Sequence, residues 1–317
     1  MTNLKKVGLT ALAGSLAATT FAQAGTVSVN GTAQMEYQTR KGPEFNANNS
    51  SSKDSFASNI SVTFSGSGEL DNGFGVSYSN ILDASGNWSA NYVAIDMGDM
   101  GTVSMGQKSD LTGLSAYQDR VPNAGEQAWD ESTTATEGTP TTAVMDMGGD
   151  QTLGYAVSAN GFTLSTSMSF PADGVETSAV IAMDGLVDGL EIGAGAGNNQ
   201  NADKTDDDLE TYYIRYAVGP ISVGAQQSTT EDDSANVDIE RDAYGVSLAV
   251  NENLSVSYGI SDTEFNDGGP DEENEGISAS YTSGGMTVGL VHNTKDNTLG
   301  VADQNNETTE LKLTFAF

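Results

Sequence analysis

The chain has no cysteine, a single histidine, only six prolines, and 12 basic residues set against 44 acidic ones. Without cysteine there is no disulfide to staple the fold, no thiolate nucleophile and no thiolate metal site. One imidazole, His292, cannot build a histidine-based zinc site, and it makes Ser–His chemistry a poor fit; at a strand end it reads as a surface residue. No glycine-rich phosphate loop is present. A net charge of −32 excludes nucleic acid as a partner, because phosphates demand Lys and Arg. Past the N-terminal leader there is no run of about 18 apolar residues, so no helical membrane span is encoded. Low proline with abundant Gly and Ser could describe a disordered acidic chain. The periodicity of the sequence rejects that reading.

What is present begins at the two ends. Lys5 and Lys6 precede a short apolar run, and Ala22-Gln23-Ala24 supplies a small-x-small cleavage site. Residues 1–24 are therefore expected to be a cleaved secretory signal peptide, leaving 25–317 as one domain. Removing the two lysines makes the mature chain more acidic still. At the other end, Leu311, Leu313, Phe315 and Phe317 fall on alternate positions. Alternation gives a strand one apolar and one wetter face, which suits a barrel strand with lipid on one side and water on the other.

The same rhythm recurs along the chain. Val27, Val29, Ala33, Met35 and Tyr37 share one face of 26–40, and Phe56, Ile60, Val62 and Phe64 share a face of the next strand. Tight-turn signals such as Asp71-Asn72-Gly73, Ala159-Asn160-Gly161, Gly219-Pro220 and Ser283-Gly284-Gly285 separate paired segments. About sixteen strands result, an even number within the range of bacterial membrane barrels. Short turns alternate with longer polar stretches at 41–55, 82–87, 109–150, 198–208, 228–240, 262–275 and 292–306, where the acids crowd. The expected fold is all-β, a transmembrane antiparallel barrel with short turns on the periplasmic rim and long extracellular loops. Aromatics near strand ends (Tyr37, Phe56, Tyr78, Tyr216, Tyr258, Phe315) suit interfacial girdles. The run from Gly193 to Gly197 admits close backbone approach, but is read as a smooth strand surface.

Alternation also sorts the charges. Residues flanked by lipid-facing neighbours point inward, because a charge at mid-membrane on the lipid face costs about 2–4 kcal/mol. Arg40, Lys108, Arg215, Arg241 and Lys312 are thereby assigned to the pore wall, with Glu36, Asp96, Glu191 and Glu310. Asp262, Glu264 and Glu273 sit at calcium-loop spacing. The sixth position there is Asp267 rather than Gly, so the broader possibility is calcium held by clustered loop carboxylates, and no cofactor is required.

The stretch from Asn91 to Gln107 contains Tyr92, then Gly98-Asp99-Met100-Gly101, then Gly106. This hairpin resembles that of the Gram-negative general diffusion porins, and the closing Phe317 resembles their C-terminal assembly signal. The resemblance covers the mature chain in pattern. It implies that the long third loop, 109–150, folds back into the pore and narrows it. Asp110, Asp119, Glu126, Asp130 and Glu131 then become candidates for an acidic constriction wall opposite the basic one. The family hairpin commonly ends in Arg, whereas this chain has Gln107-Lys108, which weakens the basic side. The implied function is passive diffusion of small hydrophilic solutes through a water-filled pore, without enzyme chemistry, and the acidic excess predicts cation preference. The implied setting is the outer membrane, with its lipid and lipopolysaccharide, the barrel assembly machinery and a homotrimer. A solute-selective channel on the same fold, a barrel hydrolase and a secreted acidic adhesin are the alternatives.

Overall fold

The computed structural model describes residues 25–42, 52–107, 111–129, 151–170, 174–200, 206–232, 237–266 and 268–317. Among them sixteen strands run in chain order. The first eight are β1 (Thr26–Lys41), β2 (Ser52–Glu69), β3 (Gly75–Leu82), β4 (Trp88–Asp96), β5 (Thr102–Gly106), β6 (Thr152–Ala159), β7 (Phe162–Ser169) and β8 (Val175–Asp184). The rest are β9 (Leu190–Gln200), β10 (Asp206–Val218), β11 (Ile221–Asp232), β12 (Val237–Ala249), β13 (Leu254–Phe265), β14 (Glu272–Ser283), β15 (Met286–Asp296) and β16 (Asn306–Ala316). Each pairs antiparallel with its neighbours, and β1 closes on β16 to complete a barrel. Closure leaves no unpaired edge, which a bilayer requires of any sheet that crosses it. No helix among the described residues is long and apolar enough to span a membrane.

Burial is inverted relative to a water-soluble domain. Phe56, Phe317, Val27 and Met35 are exposed at 81%, 78%, 67% and 64%, while Glu36, Gln38, Arg40, Thr211, Glu272 and Glu310 are buried at 2% or less. Strand alternation produces both sets at once: Met35 and Tyr37 look out while Glu36 and Gln38 look in. Aromatic pairs lie on the outer face, Tyr37 with Phe56 at 4.9 Å and Phe64 with Trp88 at 5.8 Å between ring centroids. Phe315 and Phe317 stack at 6.5 Å, and Phe317 exchanges both backbone hydrogen bonds with Gly31.

Short turns gather on one rim. Asn160 and Gly161 both have positive φ, 54° and 79°, the two-residue turn whose twist matches the flanking strands. On the other rim the strands are taller than the sequence rhythm predicts. β10 to β15 carry Asp207, Asp208, Glu231, Asp262, Glu264, Glu272, Glu273 and Glu275 within paired strands, where the sequence reading placed loops. Apolar alternation ends where lipid ends, but the backbone ladder does not need it and continues into water. There a carboxylate row forms on the outer face, with Asp242 opposite Asp262, Asp262 opposite Glu273 and Glu273 opposite Asp296. Inside this rim, Lys295 and Glu272 are both buried and 3.7 Å apart, and Glu272 also accepts from the backbone of Leu299 at 2.9 Å.

Candidate functional site

The site is the lumen and the segment 111–129 that runs through it. After β5 the chain turns inward at Gly113, whose φ of 68° suits a residue without a side chain, and makes a single 3-10 turn, Leu114–Tyr117. Buried backbone needs partners, and inward side chains of the wall supply them. The amides of Gly113 and Leu114 donate to the hydroxyls of Ser165 and Ser178, both at 2.9 Å. Gln226 accepts from the Arg120 amide at 2.6 Å and donates to the Tyr117 carbonyl at 2.9 Å. Farther along, the Ala124 amide donates to Ser257 at 2.9 Å, and Asn293 donates to the Gln127 carbonyl at 3.1 Å. The segment is thus fastened strand by strand from β7 to β15.

Glycines at inward positions let it lie close. A Cβ on Gly197 would come within 2.7 Å of Leu114, one on Gly224 within 2.6 Å of Pro122, and one on Gly276 within 2.8 Å of Ala128. On Gly245 it would meet Val121 and the Pro122 carbonyl. Apolar side chains fill the trough: Leu114 packs with Val180 and Leu209, and Val121, Ala128 and Trp129 pack with Ala243. The Gly193–Gly197 run, read in the sequence as a smooth surface, is a close-approach site instead. Leu114 covers Gly195 and Gly197, and the Tyr213 ring covers Gly193. The spacing of alternate glycines was the available signal.

The charges pair along this contact. Arg120 donates to Glu191 at 2.5 Å, and its guanidinium lies 5.1 Å from the Tyr117 ring centre and 5.2 Å from that of Tyr213. Tyr213 donates to the same carboxylate at 2.8 Å, and Arg215 stands 3.7 Å from it. Arg120 was not singled out from the sequence, although Tyr117 and Arg120 sit one helical turn apart beside the expected acids. Asp119 accepts from the Trp129 indole at 3.3 Å, and Arg241 lies 5.3 Å from that ring's centre. Crowding by protein raises the Asp119 carboxyl above its ordinary pKa, while the Trp129 hydrogen bond and the Arg241 charge oppose the rise. The side chain still touches lumen water, which limits the shift. Glu126 pairs with Lys312 of β16, which is also 2.6 Å from Glu310.

Of the acids expected on the inner loop, then, Asp119 and Glu126 sit against Arg241 and Lys312, members of the basic set, instead of facing them across a gap. Asp110, Asp130, Glu131 and Lys108 lie outside the described residues. Arg40 is buried in β1 at 1% exposure, and Phe317 ends the seam with Gly31. Asp262, Glu264 and Glu273 face outward on β13 and β14; among the described residues no three acidic or histidine side chains gather to hold a metal.

A family model described as Gram-negative porin matches residues 8–298. A porin structure refined at 1.8 Å is 19% identical, covers 92% of this chain and all of its own, and superposes with a TM-score of 0.65. The anion-selective porin from Comamonas acidovorans is 14% identical over 93% of this chain and all of its own, with a TM-score of 0.69. OmpT of Vibrio cholerae is 14% identical over 94% of this chain and 99% of its own, at 0.62. No curated protein matches the sequence. At these identities the structural likeness speaks for the fold.

Proposed function

The chain belongs to the Gram-negative porin family, and we propose that its outer-membrane diffusion channel prefers cations. Small hydrophilic solutes cross by size and charge, with no covalent step. One observation carries the preference. Among the described residues Arg120 and Arg215 share the Glu191 carboxylate, and Arg241, Lys295 and Lys312 each lie beside an acid of their own, so these five positive charges of the lumen already have carboxylate neighbours. The surplus acids then set the sign of the potential that an entering ion meets. The likeness to an anion-selective porin does not bear on this, since it is a likeness of fold at 14% identity.

The same reading includes a homotrimer, a lipopolysaccharide surround, cleavage after Ala24 and Phe317 as the assembly signal. The exposed, ring-stacked terminus supports the last of these. Calcium on the acidic outer strands belongs to it as an optional ligand. Planar-bilayer reversal potentials in a KCl gradient test the central claim: a cation-selective sign is expected, and an anion-selective sign overturns it.

A further inference from the structure

The lumen has a second wall. Every contact of the inner segment described above falls on β6 to β16. Across from it stand β2 to β5, and their lumen-facing positions follow from the register. On β2 these are Ser55, Ala57, Asn59, Ser61, Thr63, Ser65 and Ser67, opposite Gln38, Glu36, Gln34, Thr32, Asn30, Ser28 and Thr26 of β1. On β3 the series continues with Ser77, Ser79 and Ile81, and on β4 and β5 with Tyr92, Ala94, Asp96, Thr102 and Ser104. The intervening residues Phe56, Ile60, Tyr78, Val93 and Met105 are exposed to lipid, which fixes the assignment. Among the described residues the charges on this face of β2 to β5 are Glu69 and Asp96, both acids at its short-turn end, and none falls at mid-height. Arg40, on the adjoining strand, is buried away from the lumen water.

A transverse field needs opposite charges held apart across the opening. Here the opposite charges touch on one side, Arg120 with Glu191 and Lys312 with Glu126, and the facing wall offers hydroxyls. A pair in contact is a compact dipole whose field fades quickly with distance, and pore water screens it further. We propose that this constriction lacks an opposed-charge field, and that its substrate class is neutral, polyhydroxylated solutes passing as readily as dipolar ones of equal size. The inference rests on the diffusion-channel reading and narrows it. Serine and threonine hydroxyls both donate and accept, so they replace hydration water around a sugar without fixing its orientation. A zwitterion entering the same gap gains nothing by aligning.

The test is swelling of liposomes containing the purified full channel, with arabinose and zwitterionic glutamine as probes. The wild type should pass the two at similar rates. Ser61→Arg combined with Ser79→Arg places guanidiniums on the bare wall midway along β2 and β3. It should raise the glutamine-to-arabinose ratio several-fold and move the KCl reversal potential toward anions. Ser79→Lys alone is the milder variant if the double one fails to show the heat-modifiable mobility of a folded barrel. A wild type that already favours glutamine several-fold overturns the proposal. So does an arginine or lysine variant whose reversal potential shifts while the ratio stays fixed. If neither probe enters, it is the channel reading that fails.

Discussion

The two walls of the lumen are built from much the same residues and do different work. On β7 to β14, serine hydroxyls are taken up by the backbone of the inner segment, and glycines make room for its side chains. On β2 and β3, serines at equivalent inward positions meet water and one another, as Ser65 does with Ser28 at 3.1 Å. A serine therefore has no fixed meaning in this barrel. Its role depends on whether a second layer of chain lies over it.

Three substitutions would break or sharpen that contrast. The largest effect is expected from Gly245→Val, which drives new methyl groups into Val121 and Pro122. Overpacking of this kind costs about 1–3 kcal/mol, and the inner segment can relieve it by leaving the wall. Single-channel conductance should rise and become noisy, whereas a valine at Ser65 should leave the segment in place. A narrower effect is expected from Ser178→Ala, which strips the Leu114 amide of its acceptor; a buried unpaired donor costs about 1–3 kcal/mol. Brief openings to a higher conductance level should appear, while Ser65→Ala gives traces like the wild type.

The smallest effect concerns Asp119. A carboxyl with a raised pKa holds its proton more tightly in the folded channel, so its ionised form is the less stable one there, and protonation is favoured as pH falls through the raised value. Asp119 should therefore lose its charge at a higher pH than an ordinary aspartate does, and part of the cation preference should go with it. Reversal potentials of Asp119→Asn measured against pH should lack this step. Identical profiles would show that Asp119 does not face the permeating ions.

What the sequence reveals follows this same division. Outward faces are legible because lipid enforces them: Leu311, Leu313 and Phe315 cannot face water without cost, so the strands, the closed barrel and the sorting of Glu36 from Tyr37 can all be read by alternation. Alternation ends at the lipid boundary, and with it the power to place strand ends, which is why Glu231 and Glu264 read as loop residues. It also says which side a residue faces and not what comes to meet it there. Glu126 and Lys312 are 186 residues apart in the chain, and only the path of the inner segment brings them together. Arg120 belongs to that path as well, so its place between two tyrosine rings has no periodic signature.

The carboxylate row across β12 to β15 has a consequence of its own. Asp242, Asp262, Glu273 and Asp296 are each set directly opposite an acid on the next strand, an arrangement that repels. Counter-ions from the medium must quiet that repulsion, over a screening length of roughly 8–10 Å in ordinary saline and about 30 Å in dilute solution. The crown of this protein is thus firmer at high ionic strength and looser in dilute solution, with the lipid-clad girdle below indifferent to the change.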